Sequence, residues 1–137
     1  MHLRTLLIIA PGLLALSLSG CIKDRSEGAT LPIEGLWVNT SLQNDLVIYE
    51  KQNSFDEALP GFEFFSDGQM IKRQDASCCS WPPLTLEEVS GIWTQEAEAR
   101  VRVSYPGING TVEETWSVVL LNGNELQMEL LETRHTL

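Results

Sequence analysis

The chain has 137 residues, with 19 acidic against nine basic side chains and a formal charge of −10 at pH 7. That balance repels nucleic acid and anionic membrane surfaces, so neither is expected as an electrostatic partner. The acids are spread along the sequence instead of forming a block, which reads as a solubilising outer face.

The first twenty residues stand apart from the rest. Met1-His2-Leu3-Arg4 is a short basic start, and Thr5 to Leu18 is apolar apart from Pro11, Gly12 and Ser17. Ser19 and Gly20 are small residues directly before Cys21. A basic region, an apolar region and a small-residue cleavage site in that order are the layout of a secretory signal peptide. The apolar part is shorter than the roughly 20 residues a bilayer-spanning helix needs. Leu18-Ser19-Gly20-Cys21 also resembles the lipobox of bacterial lipoproteins. That resemblance implies cleavage before Cys21, a thioether-linked diacylglycerol on its sulfur and acylation of the new amino terminus. Several acyl chains make a stable anchor, so the membrane is expected as a partner through Cys21. Ile22 stands where an inner-membrane retention signal of the enterobacterial kind would have Asp, a departure that resembles outer-membrane sorting. The periplasmic and surface faces both remain open. The expected organisation is a signal peptide over residues 1–20, a lipidated Cys and flexible tether over 21–32, and one domain over 33–134.

In chain order, Gly35 to Thr40 and Leu46 to Lys51 read as strands, rich in β-branched and aromatic residues. Asn53 to Pro60 reads as a loop. Gly61 to Ser66, the Asp67-Gly68 turn and Gln69 to Gln74 form a hairpin. Asp75 to Thr85 holds Cys78-Cys79 and Pro82-Pro83, so it is expected as an extended loop without ladder bonding. Leu84 to Glu88 fits either a helical turn or a short strand. Ser90 to Gln95 is another strand. Three alternating runs follow: Val101, Val103, Tyr105; Trp116, Val118, Leu120; and Leu126, Met128, Leu130. A period of two buries one face and wets the other. Pro106–Gly110 and Asn122-Gly123-Asn124 divide the runs, so Ser90 to Leu131 is expected to be an antiparallel meander. About eight short strands and no helix of ordinary length predict an all-β barrel or sandwich.

Gly35-Leu36-Trp37 opens the domain and Gly91-Ile92-Trp93 repeats the pattern near its middle. Between them Phe62 to Phe65 leads into the Asp67-Gly68 turn; Glu114-Thr115-Trp116 and Asn124-Glu125-Leu126 begin later strands. In this order, behind a lipobox, the pieces resemble the lipocalin-like lipoproteins of the Bacteroidetes. Cys79-Ser80-Trp81-Pro82-Pro83 is similar to a Cys-x-x-Pro-Pro loop of that group; Cys78 has no counterpart in it. The resemblance covers about residues 33–132. It implies a small antiparallel up-and-down β-barrel shaped like a calyx, in a group whose members mostly have no assigned activity.

Eight strands enclose an interior that side chains can fill or that can hold one small ligand. Phe62, Phe64, Tyr105, Trp116, Leu120, Met128 and Leu130 are bulky for inward positions, which favours a mostly filled interior or a small pocket near one mouth. A Trp two residues after a strand-opening Gly buries a large surface and can plug one end. Trp81, in the Pro-rich loop, is the better candidate for ligand contact; Tyr105 and Trp37 are further candidates. Two readings follow. One is a module binding a small apolar or amphipathic molecule at the mouth near Cys78–Pro83. The other is a structural or protein-interaction lipoprotein with a filled barrel. An interior void well below about 300 Å³ would exclude the first.

Catalysis is not expected, nor a cofactor. Beyond the signal segment there is one His, His135, at a C-terminus expected to fray. No H-E-x-x-H, G-x-S-x-G, glycine-rich phosphate loop or spaced Cys pair occurs, and no metal site is expected. Carboxylates are paired at Asp56-Glu57, Glu87-Glu88 and Glu113-Glu114. Neighbours on a strand point to opposite faces, so one of Glu113 and Glu114 is outward. With Cys21 lipidated, Cys78 and Cys79 remain, adjacent, in an oxidising envelope. A strained vicinal disulfide, bridges to another molecule, and reduced structural thiols all fit; a strained bridge would be a readily reducible redox pair. The Asp75–Leu84 loop is expected to close one end of the barrel.

Overall fold

The computed structural model describes residues 30–55, 59–76 and 85–137. These form eight strands: β1 (Gly35–Gln43), β2 (Leu46–Gln52), β3 (Gly61–Phe64), β4 (Gln69–Asp75), β5 (Leu86–Ala97), β6 (Arg100–Gly107), β7 (Gly110–Leu121) and β8 (Glu125–Thr136). Every neighbouring pair is antiparallel, and the sheet closes on itself in the order β1-β2-β8-β7-β6-β5-β4-β3. The expected all-β antiparallel barrel is therefore present, with no helix among the described residues. Closure leaves no long unpaired edge along the body of the sheet.

The strand order departs from a plain meander at one place. β3 pairs with β1, so β1 lies between β2 and β3. The connection from Gln52 to Gly61 must cross β1. Phe55 lies over Gly61 outside the barrel, where a Cβ on Gly61 would come within 3.2 Å of its ring, and the Arg73 guanidinium sits 5.3 Å from the Phe55 centroid. The nearer obstacle to a Cβ at Gly61 is the Trp37 carbonyl oxygen, at 2.3 Å, so the glycine serves first the close approach of β3 to β1.

The turns follow local chemistry. Asn44 and Asp45 both have positive φ, as a two-residue type I′ hairpin between β1 and β2 requires. Gly68 (φ 84°) lets the chain turn between β3 and β4, and Asp67 accepts the Gln69 N–H at 2.9 Å. Between β7 and β8 the Asn122 side chain accepts the N–H groups of Asn124 and Glu125 at 2.9 and 2.8 Å.

One open reading is decided, and expectations for the C-terminus and for Leu120 are corrected. The undecided Leu84–Glu88 stretch is strand from Leu86 onward and continues through Trp93 as one twelve-residue β5. The C-terminus is ladder-bonded, with β8 paired to β7 as far as Thr136 and His135 opposite Val112, so the barrel extends past residue 134. Leu120 is 39% exposed, because a register shift between Val118 and Leu120 turns the strand over and brings Leu121 against the core instead.

The core fills one end of the barrel. Trp37, Phe62, Phe64, Met70, Trp93, Trp116, Leu126 and Met128 are its large members. Phe62 is its hub: its ring lies 5.8 Å from Tyr49, 5.4 Å from Phe64 and 6.0 Å from Trp116. Rings at these separations contribute about 0.5–1.5 kcal/mol per pair beyond area burial. The two Gly-x-Trp motifs close this end. Trp37 is fully buried and its indole N–H donates to Ile33 O at 2.7 Å, while the Trp93 indole N–H donates to Phe65 O at 2.8 Å. Ile33 is itself fully buried, and the Leu31 N–H donates to the Gln95 side chain at 2.9 Å. Leu31, read from the sequence as tether, thus packs against the core.

Candidate functional site

Among the described residues the opposite end is open. β8 continues from Glu129, opposite Leu46 on β2, to Thr136, while β1 and β2 turn back at Asn44-Asp45. The wall made by β5 to β8 therefore stands higher than the β1–β2 hairpin. Inside it lies a cavity of about 930 Å³, walled by residues that include Val89, Tyr105, Val112, Glu114, Thr133 and His135. A second chamber of about 270 Å³ lies toward β1 and β2, with Asn39, Val47, Tyr49, Phe62, Lys72 and Trp116 in its wall. The two share Gln74, Asp75 and Glu114.

Where they meet, the interior is charged. Alternation places Met70, Lys72 and Gln74 of β4 on the inner face, opposite Gly91, Val89 and Glu87 of β5. It likewise places Glu114 on the inner face of β7, opposite Val103 and in phase with Trp116. Lys72 Nζ lies 2.6 Å from Glu114 Oε1, and the Tyr105 hydroxyl donates to the same oxygen at 2.6 Å. Lys72 also donates to the Tyr105 oxygen at 2.7 Å. The Trp116 indole N–H donates to Glu114 Oε2 at 3.1 Å. Glu114 is only 7% exposed and is the one buried charged residue among those described. Three donors therefore satisfy a carboxylate that would be costly to bury alone. The Lys72 ammonium also sits 4.3 Å from the Tyr105 ring centroid and 5.5 Å from that of Phe62.

Burial shifts these groups. It pulls the Lys72 ammonium below its usual range, against the opposing pull of Glu114. It pushes the Tyr105 hydroxyl far above its usual value, helped by the hydrogen bond to Glu114 and its charge. Tyr49 is raised in the same way, by burial first and by Glu114 second. Both tyrosines are thus protonated donors over the whole physiological range.

Of the sequence candidates, Tyr105 lies in the cavity wall and in the charged cluster. Trp37 is in the sealed end and lines neither chamber. Cys21, Cys78, Cys79 and Trp81 lie outside the described residues. The last three lie between Ala76 and Thr85, and the Thr85 carbonyl accepts the Ala76 N–H at 2.7 Å. Both residues are at the open mouth. Lys72 was not singled out from the sequence, and Glu114 only as one of an adjacent carboxylate pair of which one faces outward; Glu114 is the inward member. The signal was there: each is a charge in the core phase of a strand, two residues from Met70 and Trp116 respectively. Among the described residues, no group of three or more His, Cys, Asp or Glu is placed to hold a metal ion.

Compared with family models, curated proteins and solved structures, the chain matches none. The fold defines a closed eight-stranded antiparallel β-barrel, sealed at one end and, among the described residues, open at the other.

Proposed function

We propose that this is a lipid-anchored cell-envelope protein whose barrel takes one small amphipathic molecule through its open mouth. The single observation that carries the binding reading is the cavity itself. About 930 Å³ lies within the roughly 300–1,000 Å³ of ordinary ligand pockets. Its wall mixes apolar surface from Val89, Val112 and Pro106 with a few fixed polar groups from Tyr105 and Glu114. That combination suits a ligand with an apolar body and a polar end. The filled-barrel alternative draws its support from the sealed end alone.

The anchoring half of the proposal rests on Leu18-Ser19-Gly20-Cys21 and the apolar segment before it. The Bacteroidetes-type lipocalin-like resemblance agrees with both halves, and outer-membrane placement rests on Ile22. No catalytic role is assigned. Protein released from membranes under mild conditions and weighed by native mass spectrometry tests both halves together. A diacylglycerol-modified N-terminal Cys21 and one bound small molecule per barrel are expected. Unmodified protein in the soluble fraction would remove the first half, and exclusively ligand-free barrels that also refuse added amphiphiles would remove the second.

A further inference from the structure

Resting on that reading, we infer that the cavity selects a neutral polar head group, such as a hydroxyl, carbonyl or amide on an apolar tail, and discriminates against a carboxylate. The inner charges cancel. Lys72, which alone would attract an anion, is already engaged by Glu114 at 2.6 Å, and Tyr105 closes the triangle. A ligand carboxylate would bring a second negative charge beside a 7%-exposed Glu114. The other cation at this chamber, Arg73, follows the inward Lys72 on β4 and so belongs to the outer face, where its guanidinium sits 5.3 Å from the Phe55 ring and its Nε 3.9 Å from Glu88. Glu87 at the mouth adds to the repulsion.

What the small chamber offers instead is an unused neutral donor. Tyr49 is 4% exposed, yet its hydroxyl has no hydrogen-bond partner among the described residues, and it lines the chamber. Asn39, directly opposite Tyr49 in the β1–β2 ladder, lines the same chamber with its side-chain amide likewise unpaired among the described residues. An entering hydroxyl or carbonyl oxygen would accept from that hydroxyl. The third N–H of Lys72 is a further donor to such an oxygen. The head then sits between Asn39, Tyr49 and Lys72. Its tail runs past Glu114 into the larger cavity, along Val89 and Val112.

The test uses three probes with the same tail: 1-decanol, decanoate and decylammonium. All eight strands and the core lie between Leu31 and Thr136, so the chain from Ile22 onward carries the whole barrel. Calorimetric titration of that chain at neutral pH and physiological salt should show 1-decanol binding roughly tenfold or more tighter than decanoate. Tyr49→Phe keeps the ring against Phe62 and should weaken 1-decanol by about three- to tenfold. Glu114→Gln leaves the Lys72 charge unbalanced, so decanoate should gain on 1-decanol; if that variant does not fold, the wild-type ranking and Tyr49→Phe still decide. Decanoate equal to or tighter than 1-decanol, or Tyr49→Phe without effect, would overturn this inference and leave ligand binding standing. Decylammonium binding tightest would overturn it in favour of the acidic rim. No binding by any probe would overturn the inference and the binding reading with it.

Discussion

Lys72 of β4 and Glu114 of β7 meet inside the barrel at 2.6 Å, although β5 and β6 separate their strands in the sheet. The pair therefore ties opposite parts of the wall across the interior, at the level where the packed end gives way to the cavity. Its side chains are 16% and 9% exposed. Removing one partner leaves a mostly buried charge, which costs about 3–5 kcal/mol, whereas replacing both together is often near neutral. Lys72→Met and Glu114→Gln should each lower stability to urea by an amount of that order. The double variant should lose markedly less than the sum. Additive losses would mean that the two side chains act separately.

Tyr49 and Tyr105 are the only tyrosines of the chain. Burial and Glu114 hold both above the usual 10.0 in the folded state. As pH rises past 10 the unfolded chain gives up protons that the folded chain keeps, so this part of the stability falls with rising pH. Lys72 acts in the opposite sense. Its lowered folded value means that the unfolded chain keeps a proton the folded chain has released, so stability rises with pH between that value and 10.5. Absorbance titration of the folded protein should show no tyrosinate at pH 11, and of the guanidinium-unfolded chain two groups titrating near 10. A folded-state midpoint near 10 would show that the hydroxyls are not buried as described.

Glycines separate close approach from mere turn chemistry. A Cβ on Gly91 would lie 2.2 Å from Ser104 O, 2.9 Å from the Met70 methyl and 3.0 Å from Tyr105 Cβ. At Gly123, in the β7–β8 turn, nothing lies within 4 Å and φ is not positive. Gly91→Ala should therefore cost about 1–3 kcal/mol by overpacking, and Gly123→Ala should stay within about 0.5 kcal/mol. Equal midpoints in thermal denaturation would contradict the tight β5–β6 approach.

The barrel was legible because its signals are local. Alternation at Val101–Tyr105 and Leu126–Leu130, with Gly and Asn between runs, needs only a period and a turn. The β2–β3 crossing was not legible, because nothing in Asn53–Pro60 says which neighbour Gly61 will join. Leu120 misled because a bulge is a one-residue change that composition does not mark. His135 was expected to fray by its position near the end, but the Val112 side of the ladder runs just as far. The Lys72–Glu114 cluster was half legible. Each charge sits in a core phase, but only the closed ring of strands shows that the two meet.

The proposed lipid anchor belongs to residues that precede the first strand. Cys21→Ser should abolish lipidation and move the protein from the membrane fraction to uncleaved precursor or soluble protein. The barrel should keep its urea midpoint, because every strand lies beyond residue 34. Membrane association and N-terminal mass unchanged by Cys21→Ser would contradict the anchoring proposal.

The central claim is an open, ligand-accepting mouth above a sealed core, and amide nuclear magnetic resonance tests it most directly. With 1-decanol added to the isotope-labelled chain from Ile22 onward, saturable shifts are expected at Val89, Tyr105, Val112 and Glu114, which line the cavity. Leu126, Met128 and Trp37 in the sealed core should stay still. Shifts confined to exposed outer positions such as Ile92 and Val119, or no saturable shifts at all, would contradict it.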